Sequence, residues 1–127
     1  MRYLLDTHTL LWFFENNPSL SPEAKANILD KNNVIYVSIA SFWEIAIKIS
    51  LGKLNISFST DELFEKIEDE DFILMAISSE HIKTIQTLTH HHRDPFDRIL
   101  ISQAKVESCT VITRDEAFTN YPITVLW

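Results

Sequence analysis

The sequence predicts an α/β domain in which a mainly parallel, five-stranded sheet is flanked by helices. Three observations predict it. Five short apolar runs, at residues 3–5, 34–37, 72–77, 111–113 and 123–126, are rich in Val, Ile, Leu and aromatics. They lack the strict alternation of a half-solvated strand, as suits a sheet covered on both faces. Helical patterns with recognisable start and stop signals fall between them, and strands alternating with helices favour parallel pairing. The chain is 127 residues long, so residues 1–127 are read as a single domain. A chain of that size buries roughly two-thirds of its unfolded surface without help from disulfides.

Each element has a local cause. The first run ends at Asp6. Ser21-Pro22-Glu23 reads as an N-cap, a first-turn proline and a first-turn acid, opening a helix to about Asp30. After the second run, residues 39–51 place Phe42, Ile45 and Ile49 at helical spacing, and Gly52 follows as a stop. Ser59-x-x-Glu62 is a capping-box pattern ahead of Leu63, Phe64 and Ile67. Asp94-Pro95 opens another helix through Ile99, Leu100, Gln103 and Ala104. The connection at 114–122 is short for a full crossover and has room for only a turn or two of helix.

Composition excludes several classes of function. The lone cysteine, Cys109, rules out a disulfide framework and a cysteine-based zinc site. The lone glycine, Gly52, rules out glycine-rich phosphate cradles. No apolar run approaches the roughly 20 residues of a membrane span. Asp6 interrupts the first apolar run, which is unlike a signal peptide, so a cytoplasmic location is expected. The net charge is −7, yet residues 61–71 alone hold seven acids and one lysine. That run reads as a solvated helix face, and the rest of the chain is close to neutral. A polyanionic substrate is therefore compatible with the sequence.

Four acids fall where this architecture does chemistry. Asp6 follows the first strand, Glu44 lies in the early turns of the helix after the second, Asp97 sits in the first turn of the helix beginning at Pro95, and Asp115 follows the fourth strand by one residue. Strand C-termini and the N-termini of the helices that follow share one edge of an α/β sheet, where ligands bind. Converging carboxylates repel one another unless a cation intervenes. Hard ions such as Mg²⁺ or Mn²⁺ prefer such oxygens and keep water for catalysis.

The segments LLDTHTLLW (4–12), SFWEIAIKISLGKL (41–54), HRDPFDRILISQA (92–104) and VITRDEAF (111–118) together resemble PIN-domain ribonucleases, and more closely the VapC-type toxins of bacterial toxin–antitoxin pairs. The resemblance implies a PIN-like three-layer fold with strand order 3-2-1-4-5 and Mg²⁺- or Mn²⁺-dependent endoribonuclease activity, in which a metal-activated water cleaves RNA phosphodiesters. It also implies a homodimer and inhibition by a cognate antitoxin. Carried over residue by residue, the family acids are Asp6, Glu44, Asp97 and Asp115, with Asp6, Asp97 and Asp115 as metal ligands. Thr113 matches the Ser/Thr at the fourth strand end.

Each of these residues has a plainer reading beside the functional one. Asp6 also suits an N-cap. Ser41-x-x-Glu44 is itself a capping box. Asp94 reads as the cap ahead of Pro95, leaving Asp97 for the site. Asp115 could end a turn. For Thr113 the functional reading is to orient an acid or a metal-bound water. The run His90-His91-His92-Arg93 could bind a soft metal or touch phosphate when protonated, but reads more simply as a solvated loop before a helix, with Arg93 or Arg98 as candidate phosphate contacts. Three functions compete. The first is a toxin endoribonuclease. The second is a catalytically silent PIN-like binding module, which nothing favours while all four acids are present. The third is a phospho-acceptor signalling domain, which would want an acceptor aspartate after the third strand, where Ile77-Ser78-Ser79 stands instead.

Overall fold

The computed structural model describes residues 1–127. Strands β1 (Arg2–Leu5), β2 (Val34–Ser38), β3 (Ile73–Met75), β4 (Thr110–Ile112) and β5 (Val125–Leu126) form one sheet. Its order is β3-β2-β1-β4-β5, and every pairing is parallel. The helices are α1 (Thr7–Phe14), α2 (Pro22–Leu29), α3 (Ile39–Ser50), α4 (Thr60–Asp69), α5 (Ser79–Thr87) and α6 (Pro95–Glu107). This is the predicted α/β fold in the predicted strand order.

Alternation along β1 explains the layers. Tyr3 and Leu5 join a core with Leu10, Ile28, Val37, Ile45 and Leu63 on one side of the sheet. Leu4 joins Leu100, Ile101, Val111 and Phe118 on the other. Both faces are thus buried, which is why the strands read as continuous apolar runs. Each such side chain contributes about 1.5–3 kcal/mol by leaving water.

The helix signals act as their sequences indicate. Ser21 caps α2 through the Ala24 N–H. Ser59 and Glu62 close the capping box of α4. Gly52 has φ +68°; its N–H donates to the Ile49 carbonyl and the Lys53 N–H to that of Lys48. That is a Schellman ending, which needs a left-handed residue and so favours glycine. The 114–122 connection holds a single short 3-10 helix, Glu116–Asn120.

Several boundaries differ from expectation. The third strand is three residues long rather than 72–77. It is an edge strand, with Ile73 and Leu74 exposed, so Ala76 and Ile77 have only one neighbour to pair with and leave the ladder. The fifth strand shrinks from 123–126 to two residues. Helices α1 and α5 carried no strong sequence signal. Helix α3 starts earlier than the Ser41 pattern implies: Ser38 is its N-cap, and Ser41 is a buried interior residue.

Candidate active site

Asp6 stands where β1 ends and α1 begins. Its Oδ1 accepts the Thr9 N–H at 2.8 Å, so it is the N-cap of α1. Its Oδ2 accepts a hydrogen bond from Thr113 Oγ1. Burial raises the pKa of this carboxyl, against the lowering effect of those hydrogen bonds. Thr113 Oγ1 in turn accepts the Asp115 N–H at 3.0 Å. One hydroxyl therefore clasps an acid after β1 to the backbone of an acid after β4. The clasp is possible because β1 and β4 are neighbours.

Asp97 lies in the first turn of α6, behind the cap Asp94, whose Oδ1 accepts the Phe96 N–H at 2.9 Å. The Asp97 carboxyl is pushed up to about 7, by burial first and by the charge of Asp94 next; His92 opposes the shift, while Asp6 and Glu44 add to it. Asp6, Glu44 and Asp94 thus lie within electrostatic reach of Asp97. Asp115 caps the 3-10 helix through the Ala117 N–H at 2.9 Å. Burial would raise its pKa, but the Ala117 N–H and His92 outweigh this and hold it below the usual range.

Glu44 is buried, and both of its oxygens have partners within the chain. Thr7 Oγ1 donates to Oε1 at 2.7 Å, and Lys48 Nζ donates to Oε2 at 2.7 Å. The capping-box reading of Glu44 is corrected here, since it lies in the interior of α3. The partner Lys48, one helical turn on, was missed, although its i,i+4 spacing from Glu44 is visible in the sequence. The Glu44 contact holds the Lys48 pKa above its ordinary value.

Two other readings change. Arg98 turns inward rather than toward a phosphate. Its guanidinium donates to the carbonyls of Thr89, His92 and Leu88 and to the Tyr121 hydroxyl, at 3.0–3.3 Å. It scaffolds the loop between α5 and α6. His92 on that loop is not solvated with His90. Its Nε2 lies 3.0 Å from Asp97 Oδ2 and 2.9 Å from Asp115 Oδ2. No spacing rule could have found it, because the loop's path depends on Arg98 and Tyr121. His8 is exposed, its ring 5.6 Å from that of Trp12.

The donors at this edge are mostly carboxylate oxygens, the chemistry that hard divalent ions accept. Asp97 and Asp115 each present an oxygen, and His92 a ring nitrogen, within 4.8 Å of one another. Burial first, and then the charges of Asp94, Asp6 and Glu44, raise the Asp97 pKa; the charge repulsion is what a divalent cation would relieve. Fold and site together define an α/β domain with a cluster of acidic side chains at the carboxyl edge of its sheet.

The family model described as the PIN domain matches residues 3–123, and the chain belongs to that family. No curated protein matches it by sequence. Among solved structures it is similar to VapBC2 from Rickettsia felis bound to a DNA fragment from their promoter, with a TM-score of 0.73 at 19% identity, covering 99% of this chain and 98% of that one. DNA-bound VapBC from Salmonella typhimurium gives a TM-score of 0.72 at 14% identity, covering 99% and 97%. PAE2754 from Pyrobaculum aerophilum gives 0.63 at 10% identity, covering 98% and 83%. At these identities the likeness is one of fold.

Proposed function

We propose that this chain is a metal-dependent endoribonuclease and the toxin of a toxin–antitoxin pair. The observation that carries the reading is the gathering of Asp6, Asp97 and Asp115, from three separate segments, at the carboxyl edge of a PIN-domain sheet. Asp6, Asp97 and Asp115 would hold Mg²⁺ or Mn²⁺. Bound there, such an ion supplies an activated water and neutralises charge building on a scissile phosphate. The chain's own residues do the positioning. Thr113 fixes the orientation of Asp6 relative to Asp115. Glu44, tethered by Thr7 and Lys48, adds negative charge that favours a cation while keeping its own side chain in place. Asp94 holds the first turn of α6, and with it Asp97, through its cap. Arg98 holds the neighbouring loop.

The structural relatives named as VapBC complexes support an antitoxin partner for this chain. An apolar face beside the acids supports it further. Trp43 and Ile82 are 60% and 56% exposed, and with Phe96 and Ile99 they border an apolar cavity of about 190 Å³. We assign this face to the antitoxin, whose basic side chain would reach Asp6 and Asp97. A homodimer and a cytoplasmic location belong to the same reading. No helix is long and apolar enough to cross a membrane.

The test is cleavage of structured RNA by the purified chain with Mn²⁺ or Mg²⁺, with EDTA, and by a folded Asp6→Asn variant. Cleavage should require the ion and be lost in the variant. Undiminished cleavage in excess chelator, or by Asp6→Asn, would refute the proposal.

A further inference from the structure

His92 is the one non-carboxylate group among the site's ionisable side chains that touches two of its acids. The composition of the trio suggests a mixed His/Asp/Asp ion site, but the surroundings of the ring argue otherwise. The ring is held from several sides. Its backbone N–H donates to the Tyr121 hydroxyl at 2.8 Å, and its carbonyl accepts from Arg98 at 3.2 Å. Its edge meets the Phe118 ring, centroids 5.8 Å apart at 82°. Its Nδ1 accepts the Asp94 N–H at 3.2 Å.

That last contact decides the tautomer. A nitrogen that accepts cannot carry the ring hydrogen, so in the neutral ring the hydrogen sits on Nε2. Nε2–H then donates to Asp115 Oδ2 at 2.9 Å, with Asp97 Oδ2 also in contact, 3.0 Å from the same nitrogen. A nitrogen in that state has no lone pair for an ion. For Nε2 to become a ligand, the hydrogen would have to move to Nδ1, where it would face the Asp94 N–H head-on. With the ring in this position, Nε2–H and a cation compete for the same pair of oxygens.

We propose that His92 is a built-in place-holder for the divalent ion: it bridges Asp97 and Asp115 in the ion-free protein and must withdraw for the ion to bind. The inference rests on the metal-site reading above. The place-holder keeps two acids from separate segments together without a cation, their oxygens and its own nitrogen all within 4.8 Å of one another. The site is thereby preorganised, and the displacement of the ring lowers affinity for the ion. His92 is a positioning residue, distinct from the ligands.

The test uses the full chain as wild type, His92→Ala and His92→Gln, with Mn²⁺ affinity measured by titration calorimetry and ion-free melting temperature followed in parallel. His92→Ala should bind Mn²⁺ about three- to tenfold tighter than wild type, since the hydrogen bond to Asp115 no longer has to be broken, and should melt lower without the ion. His92→Gln, which restores an N–H donor, should return toward wild-type affinity. In wild type, adding diamagnetic Mg²⁺ should move the ring ¹⁵Nε2 resonance from that of a fixed N–H toward a tautomer-averaged one. Weaker Mn²⁺ binding by both variants, with the ¹⁵Nε2 signal shifting to a metal-bound nitrogen, would overturn the proposal and make His92 a ligand. Unchanged affinity in His92→Ala would overturn it as well. A wild type that binds neither ion, like an Asp6→Asn/Asp97→Asn control, would remove the metal-site reading itself and this inference with it.

Discussion

Replacing Arg98 by methionine keeps the apolar stem and removes the guanidinium, and so separates a scaffolding role from a substrate contact. In the folded chain that guanidinium has four acceptors: the carbonyls of Leu88, Thr89 and His92, and the Tyr121 hydroxyl. The contacts to Leu88 and Tyr121 are buried; the other two are part-buried and can be rehydrated. A hydrogen bond to a charged group contributes about 1.5–3 kcal/mol, and a buried acceptor left unpaired costs the upper part of that range. The Leu88 carbonyl is left unpaired and costs the upper part of that range, while the Tyr121 hydroxyl keeps the His92 N–H and costs the lower part, together a loss of about 4–5 kcal/mol. This is a large share of the 5–15 kcal/mol typical of a domain. With a urea m-value of about 2 kcal/mol/M, the unfolding midpoint should fall by roughly 2 M. Arg98→Lys should recover only part of this, because one ammonium cannot fan out to four acceptors. The assay is urea denaturation followed by circular dichroism, with RNA cleavage measured below the transition. An unchanged midpoint combined with lost cleavage would refute the reasoning and place the guanidinium on the substrate.

Other expectations follow from the same geometry. Mn²⁺ at one hundred times its Kd should stabilise wild type by about 2.7 kcal/mol, read as a melting-temperature rise, and the rise should vanish in Asp6→Asn/Asp97→Asn; equal rises would move the ion elsewhere. Asp97, raised from 3.8 to about 7, holds its proton more tightly folded than unfolded. Its penalty is therefore absent below about pH 4 and complete above about pH 7, so ion-free stability should fall as pH rises through that window. Ion affinity should fall as pH drops through the same window, because the ion competes with that proton; calorimetry at several pH values checks both signs. Trp43 is 60% exposed and meets Phe96 edge-on with ring centroids 5.2 Å apart, so Trp43→Ala should cost less than about 1.5 kcal/mol, against the 3–5 of a core aromatic. A pull-down with the antitoxin should nevertheless weaken, and an unaffected complex would move the partner off this face.

Features governed by nearest neighbours were legible in the sequence. The apolar runs, the Ser21 and Ser59 caps, the Asp94-Pro95 start and the Gly52 ending all act over three to five residues, and the folded chain contains each of them. Asp6 and Asp115 were legible as site candidates for the same reason: a residue just past a strand must lie at its carboxyl end. Helix α1 was not, because THTLLWFF carries no charged residue to mark a solvent face. Its start depends on Asp6, which also reads as a strand end. Helix α5 was hidden by a cap whose third-position partner is His81 rather than Glu or Gln. The full extent of β3 was overestimated because apolar content does not say whether a strand has one neighbour or two.

The sequence alone determined that this protein is an α/β domain with acids at strand and helix ends, since backbone propensity, side-chain period and capping are local quantities. Only the tertiary structure decided what those acids touch. Thr113 reaches Asp6 across 107 positions, a contact made by the parallel pairing of β1 with β4. His92 joined the site, and Arg98 left it, because Arg98 and Tyr121 pull the loop after α5 inward. Such contacts depend on distances between segments remote in the chain, and no local pattern encodes those distances.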